Sequence, residues 1–115
     1  MAYDYQVIMG SNSDTMTIQV YDRKEPMIVL GHFCGSECFK ETKHWYWTNM
    51  FVDELHRKRH LATGMLNRMC MEMDKLGIVT TELSCKDILK PFYKKAGFLP
   101  HGDTMVRKLN PTHHY

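Results

Sequence analysis

The sequence has no uninterrupted apolar run of about 18 residues, the length that a membrane-spanning helix requires. Its first ten residues, MAYDYQVIMG, have neither a basic segment nor a long apolar core, so we expect no secretory signal. The four cysteines, at positions 34, 38, 70 and 85, are therefore expected to be free thiols of a cytoplasmic protein. A Gly-x-x-x-x-Gly-Lys segment is also absent, so nucleotide hydrolysis has no support.

The excess of positive over negative charge is also small. The 115 residues carry a formal net charge of +2, which by itself is too small to indicate nucleic acid as a partner. With 43% hydrophobic and 24% charged residues, the composition is that of an ordinary globular protein. We expect residues 1–115 to form one domain with one core.

Short alternating or β-branched runs predict a sheet. The predicted strands cover residues 3–10, 15–22, 27–33, 44–52, 78–85 and 104–109, with a polar loop at 34–43. The second and third strands are expected to pair as a hairpin. The run HWYWTNMFV is apolar on both faces, which predicts a central strand buried on both sides. Trp45 and Trp47 are expected in core or dimer packing or, with less support, in a wall of the acceptor site.

Between residues 60 and 76 the apolar period changes to spacings of four and three, which predicts a helix with the stripe Leu61, Met65, Met69, Met73 and Leu76. Gly77 is expected just after its end. A shorter helix is predicted over 86–97, with Asp87 as N-cap and Pro91 in the first turn. This order predicts an α+β fold, a mixed and mostly antiparallel sheet with a β-α-β-α-β second half.

Five consecutive basic or imidazole side chains, His56 to His60, precede the longer helix. A helix N-terminus already has about four unpaired N–H groups and roughly half a positive charge, so these residues add to the dipole instead of offsetting it. One explanation is an anion site, in which Arg57, Lys58, Arg59 and backbone N–H groups bind a phosphate or pyrophosphate. A solvated surface and, with less support, contact with a nucleic-acid backbone remain alternatives.

A zinc site is the weaker interpretation of a second cluster. His32, Cys34, Cys38 and His44 lie within a short span and are residue types that bind zinc. Their spacing matches no common zinc-finger pattern. We therefore interpret the cysteines as ordinary thiols and expect no metal.

Two segments, VDELHRKRHLATGML at residues 52–66 and FYKKAGF at residues 92–98, together resemble the GNAT superfamily of N-acetyltransferases. VDELHRKRHLATGML is similar to the family's signature, which reads Val, four residues, Arg/Gln-x-x-Gly-x-Gly/Ala and then a helix; Val52, Arg57 and Ala62 match. FYKKAGF is similar to the family's Tyr-x-x-x-Gly-Phe element, with Tyr93, Gly97 and Phe98 matching. The resemblance covers roughly residues 14–109 and implies a GNAT-like acyl-CoA N-acyltransferase fold.

The resemblance also implies the chemistry. Acetyl-CoA would be the co-substrate, and an acetyl group would pass directly to a primary amine. The pantetheine arm would lie along Phe51 and Val52, and Tyr93 would act as general acid. The pyrophosphate would bind to the segment from Arg57 to Ala62, whose members are Arg57, Lys58, Arg59, His60, Leu61 and Ala62.

The chain departs from the family pattern in two places. His60 stands where the family has Gly. We expect it to adopt helical φ/ψ angles, with its imidazole either pointing away from the phosphates or contacting them. The family's helices between the first two strands are missing, because only GSNSD separates those strands here. This predicts an open acceptor groove, or one that a second subunit completes in a homodimer, and it suits a protein lysine as acceptor.

The family's usual base positions hold Thr48 and Tyr46, which leaves the general base open. His44, Tyr46, Glu54, Glu82 and water are the candidates. An alternative function is a catalytically degenerate module of the same fold that binds a protein partner or, with less support, nucleic acid.

Overall fold

The computed structural model describes residues 3–57 and 60–109. These residues form seven strands, two α-helices and two 3-10 turns. The strands are β1 (Tyr3–Met9), β2 (Thr15–Asp22), β3 (Val29–Phe39), β4 (His44–Val52), β5 (Thr80–Leu83), β6 (Leu99–His101) and β7 (Thr104–Lys108). The helices are α1 (Leu61–Lys75) and α2 (Lys90–Lys94), and the 3-10 turns are Glu54–His56 and Asp87–Leu89.

The strands form one mixed sheet in the order β1-β2-β3-β4-β5-β7-β6. Strands β4 and β5 are parallel and α1 connects them, whereas every other neighbouring pair is antiparallel. A parallel pair needs such a crossover, because a short turn cannot return the chain to the starting edge of the sheet. The predicted mostly antiparallel sheet with a β-α-β unit is therefore confirmed.

Helix α1 covers the centre of one sheet face. Four members of the predicted stripe are buried, together with Leu66: they are Leu61, Met65, Met69 and Met73. Leu76 is 46% exposed, so its place in the stripe was wrong. The reason is the helix end: Gly77, at φ 69°, turns the chain away, and the Ile78 N–H donates to the Met73 carbonyl at 3.0 Å. This is the C-terminal turn that Gly77 predicted.

The structure corrects three local expectations. Strand β3 continues to Phe39, through a segment expected to be a loop, because its backbone pairs with β2 as far as Ser36 and with β4 as far as Phe39. Strand β6 was not predicted. Asp87 was expected to cap the second helix, but Lys86 precedes the 3-10 turn and α2 begins only at Lys90, with Pro91 in its first turn.

Both helices lie against the same sheet face. The Arg107 guanidinium of β7 donates to both carboxylate oxygens of Asp74 in α1, at 2.9 and 3.0 Å, and to the Ala96 carbonyl after α2, at 3.3 Å. Trp45 and Trp47 point to this face and are 1% exposed, as the core interpretation predicted.

The opposite face of β4 is more accessible. His44 and Tyr46 are half-buried there and Thr48 is exposed, so the expectation that this strand is buried on both sides was wrong. The chain between β1 and β2 is only the turn at residues 10–14 and supplies no helix to cover this face. Within residues 3–57 and 60–109, neither helix is long and apolar enough to cross a bilayer.

Candidate active site

A fork in the sheet forms the candidate site. Strands β4 and β5 pair from His44 and Thr80 to Trp47 and Leu83, and then they separate. The partners of His32 and Cys34 in β4 are Phe51 and Thr48, so β4 carries one extra residue, a bulge, just beyond the fork. Bulges bend a strand and end its pairing. Among the described residues, the backbone of β4 from the bulge to Val52 consequently has no partner strand on its β5 side.

A cleft of about 810 Å³ lies where β4 and β5 separate. One wall comes from the end of β4 and the start of α1, and the other comes from the end of β5 and from α2. The lining residues are Met50, Phe51, Val52, His56, Arg57, His60, Leu61, Ala62, Ser84, Cys85, Lys86, Leu89 and Tyr93.

Most of the predicted site residues line this cleft. Among the expected cofactor-binding residues, those that line it are Phe51, Val52, Arg57, His60, Leu61 and Ala62. Lys58 and Arg59 lie outside the described residues. Tyr93, the expected general acid, lines the opposite wall.

In the part of the chain that the structure describes, no side chain caps the start of α1, which lies at the cleft. Its N-cap, His60, provides no side-chain hydrogen bond, and its first turn contains no acidic residue. The carboxylate of Asp53 is used by the preceding 3-10 turn, where it accepts from Leu55 N at 3.2 Å and pairs with His56 Nδ1 at 2.9 Å. A helix N-terminus without a cap or a carboxylate attracts an anion through its N–H groups and its dipole.

Arg57 adds a side-chain cation beside these N–H groups. Its Nε donates to the Val52 carbonyl at 3.2 Å, which holds the guanidinium next to the end of β4. The guanidinium has five N–H donors, so this bond leaves others for an anion. The residue is exposed at the cleft wall.

His60 corrects an expectation about its backbone. Helical angles were expected, but the residue has φ 61° and ψ 21°, in the left-handed region. His60 is the N-cap residue at which the chain enters α1, and Gly is the residue that adopts this conformation without a steric penalty. The requirement explains why the family signature has Gly at this place, and it means that His60 carries backbone strain of about 1 kcal/mol.

Tyr93 is a protonated phenol inside the cleft wall. Its ring is 4% exposed and packs edge-on against Phe98, with 5.9 Å between ring centroids. Burial and, secondly, the neighbouring Cys85 raise the pKa of Tyr93 to about 12. The hydroxyl therefore stays protonated at neutral pH, so it can donate a hydrogen bond or transfer its proton but cannot act as a base.

Three of the four side chains proposed as general base meet on the sheet face opposite α1. His44 Nε2 lies 2.8 Å from Glu82 Oε1, and the Tyr46 hydroxyl lies 2.5 Å from Ser84 Oγ. Glu54 is exposed in the 3-10 turn after β4 and does not line the cleft.

Sequence reasoning missed the cleft residues that follow β5: Ser84, Cys85, Lys86 and Leu89. Their signal was their position directly after a strand that runs parallel to β4. Ligands bind beyond the carboxyl ends of such strands, where the backbone leaves the sheet.

The zinc alternative has no geometric support in the described part of the chain. No three His, Cys, Asp or Glu side chains there could hold a metal ion together. His32 stacks on Phe51, with 5.4 Å between ring centroids, and all four cysteines are free thiols.

Comparison with known proteins identifies the family. The sequence profile of the acetyltransferase (GNAT) domain matches residues 17–100. A search of curated proteins gives no match. Among solved structures, the IAA acetyltransferase from Bacillus cereus superposes with a TM-score of 0.73 at 11% identity, covering 94% of this chain and 100% of its own.

Two further structures share the fold. Tetrahymena GCN5 gives a TM-score of 0.68 at 17% identity and covers 85% of this chain and 70% of its own. The PaiA N-acetyltransferase from Thermoplasma acidophilum, solved in complex with coenzyme A, gives a TM-score of 0.67 at 16% identity. The match covers 85% of this chain and 63% of its own. At these identities the likeness shows the fold, while the profile match spans most of the sequence. The chain belongs to the GNAT family of acetyltransferases.

Proposed function

We propose that the protein is an N-acetyltransferase of one domain, residues 1–115, that moves an acetyl group from acetyl-CoA to a primary amine. The observation that carries the proposal is the uncapped N-terminus of α1, which opens into a cleft where β4 and β5 separate. Family membership supports acetyl transfer, and the Thermoplasma relative was solved with coenzyme A.

The donor set of the cleft suits a diphosphate attached to an extended arm. In the proposal, N–H groups and cations from Arg57 to Ala62, with Lys58, Arg59, His60 and Leu61 between them, bind the pyrophosphate. The backbone at Phe51 and Val52, which has no partner strand on the β5 side, pairs with the amide groups of the pantetheine arm as an added strand would.

Tyr93 is the proposed general acid. When the amine attacks the thioester carbonyl, a C–N bond forms, the C–S bond breaks and negative charge develops on sulfur. The pKa of the Tyr93 phenol, about 12, exceeds the pKa of about 8.5 of an ordinary cysteine thiol. Tyr93 therefore stays protonated until sulfur leaves. It stabilises the departing thiolate by donating a hydrogen bond, and full proton transfer follows only where burial also makes the thiolate more basic.

A protein lysine is the proposed acceptor. The sheet face beside the cleft is reached from outside, because the turn at residues 10–14 contributes no covering helix. A flexible lysine side chain on a macromolecule can approach such a face, whereas a small amine would gain little contact there. We also propose a cytoplasmic location. A homodimer in which a second subunit completes the acceptor groove is the alternative to an open groove, and light scattering of the purified protein would distinguish the two.

The experiment combines binding and turnover. Calorimetric titration with acetyl-CoA measures the affinity, and thiol release with lysine peptides and small amines measures transfer. We expect Tyr93→Phe to lower kcat about 100-fold with an unchanged Kd for acetyl-CoA, because the ring stays and only the proton donor is lost. Tyr21→Phe, on β2 outside the cleft, is the matched control.

Three results would oppose the proposal in different ways. Absence of acetyl-CoA binding would remove the cofactor assignment. Binding without turnover on any amine would instead indicate the partner-binding module of the same fold. Acetylation of small amines alone, with no lysine peptide modified by mass spectrometry, would reject the acceptor class.

A further inference from the structure

Lys86 is the one lysine among the described residues that lines the cleft. It lies on the wall opposite the start of α1, directly before the 3-10 turn Asp87–Leu89. Its backbone is extended, with φ −68° and ψ 151°, and its carbonyl accepts from Leu89 N at 2.9 Å, which ties this residue to the turn. The side chain is exposed, and a lysine carries its amine on a flexible four-carbon stem. The cleft therefore contains a primary amine of the chain itself.

Lys86 belongs to the same wall as the proposed general acid. Burial and, secondly, the Cys85 thiol raise the pKa of Tyr93, so Cys85 and Tyr93 lie close together. Lys86 is the next residue after Cys85, and both line the cleft. In the proposed function the thioester bond breaks beside Tyr93. The Lys86 amine is thus attached next to the part of the wall where the acetyl group would be transferred.

Lys90, four residues further along the chain, shows what makes an amine a poor acceptor. Its Nζ lies 3.0 Å from Asp87 Oδ1, and the hydrogen bond to this carboxylate, aided by its charge, raises the pKa of Lys90. An ion pair of this kind favours the ammonium form, which has no lone pair for attack on a carbonyl. Lys86 forms no ion pair within residues 3–57 and 60–109, and the carboxylate next to it in the chain is the one that pairs with Lys90.

We propose that the protein acetylates its own Lys86 when acetyl-CoA occupies the cleft and no other acceptor is bound. This inference rests on the proposed function. Lys86 gives a proton to solvent and attacks as the neutral amine. A C–N bond forms between its Nζ and the thioester carbonyl carbon, and the C–S bond breaks. Coenzyme A leaves as a thiolate, which Tyr93 stabilises by a hydrogen bond and which takes up a proton from solvent. The products are N-acetyl-Lys86 and coenzyme A, and no further reactant is needed.

Attachment of Lys86 to its own cleft makes this step unimolecular once acetyl-CoA has bound. A reacting group that is held beside its target has a high effective concentration, whereas an amine in solution must first be captured. We therefore expect a rate per molecule that does not depend on protein concentration. Acetylation removes the positive charge and the nucleophilic lone pair of the side chain, so the reaction stops after one acetyl group at this position.

The test incubates the purified protein with acetyl-CoA and no added amine. Intact-mass spectrometry counts the acetyl groups per chain, and peptide mapping locates them. We expect one acetyl group, at Lys86, and the same rate constant per molecule after about tenfold dilution of the protein. A rate constant that falls in proportion to the dilution would show transfer between molecules and overturn the inference. Equal modification of the exposed lysines would indicate chemical acetylation and would also overturn it.

Two arginine variants form a matched pair. Lys86→Arg keeps a cation at an exposed position but cannot accept the acetyl group, and it is expected to lower acetyl incorporation about tenfold. Lys90→Arg changes a lysine of the same segment outside the cleft lining, and incorporation should stay within about twofold of wild type. Tyr93→Phe should slow modification of Lys86, whereas the protein unfolded in urea gives the chemical background. Incorporation in Lys86→Arg equal to that of wild type would reject Lys86 as the site.

The results separate this inference from the proposed function. A wild-type protein that acetylates added amines but leaves Lys86 unmodified would overturn the self-acetylation and leave the transferase standing. A protein that binds acetyl-CoA but modifies neither Lys86 nor any amine would overturn both. Concentration-independent modification that is lost in Lys86→Arg and retained in Lys90→Arg would support Lys86 as an acceptor within its own cleft.

Discussion

His60 holds a left-handed backbone conformation at the start of α1, with φ 61° and ψ 21°, and this strain can be measured. His60→Gly and His60→Ala both remove the imidazole, but only Ala keeps the Cβ that clashes in this region. Ala retains about 1–2 kcal/mol of strain, whereas Gly loses about 0.5 kcal/mol through the greater freedom of the unfolded chain. The Gly variant should therefore be more stable than the Ala variant by about 1 kcal/mol.

Thermal unfolding followed by circular dichroism measures this difference. For a chain of 115 residues, 1 kcal/mol corresponds to about 4 °C in Tm. Against the wild-type protein, His60→Gly should gain about 0.5 kcal/mol, or about 2 °C, because His60 is exposed and the contacts it loses are few. Thr63→Gly, at an exposed right-handed position of the same helix, should instead lower Tm. If His60→Ala were as stable as His60→Gly, the left-handed conformation would be refuted.

Three other predictions follow from the same structure. Arg57→Ala should weaken the affinity for coenzyme A about fivefold, with a smaller salt dependence in calorimetry, while Arg23→Ala on the distant β2–β3 turn leaves it unchanged. Gly35→Ala should lower the free energy of unfolding in urea by about 1–3 kcal/mol, because its methyl group would overlap the Trp47 ring; an unchanged midpoint would contradict this packing. The raised pKa of Tyr93 means that its stabilising contribution is full below pH 10 and is lost as pH rises from 10 towards 12. Tyr93→Phe should lack this alkaline loss, and an identical loss in both proteins would show that other groups cause it.

The sequence determined the features that depend on neighbouring residues. The apolar period of α1 and the left-handed turn at Gly77 follow from local side-chain and backbone preferences. The two family segments led to the correct fold because they lie in order within this pattern of strands and helices. The cationic run before α1 also indicated the cleft wall that Arg57 now lines.

Only the tertiary structure decided what depends on residues far apart in the chain. Strand β3 extends through a polar segment because β2 pairs with it as far as Ser36 and β4 as far as Phe39, which local composition does not reveal. His60 adopts a left-handed conformation at the N-cap of α1, which its residue type does not favour and the sequence therefore did not indicate. His44 and Glu82 are 38 residues apart and meet only because β4 and β5 are adjacent parallel strands. Periodicity can be read from consecutive residues, whereas strand pairing and hydrogen bonds between distant residues arise from how distant segments pack.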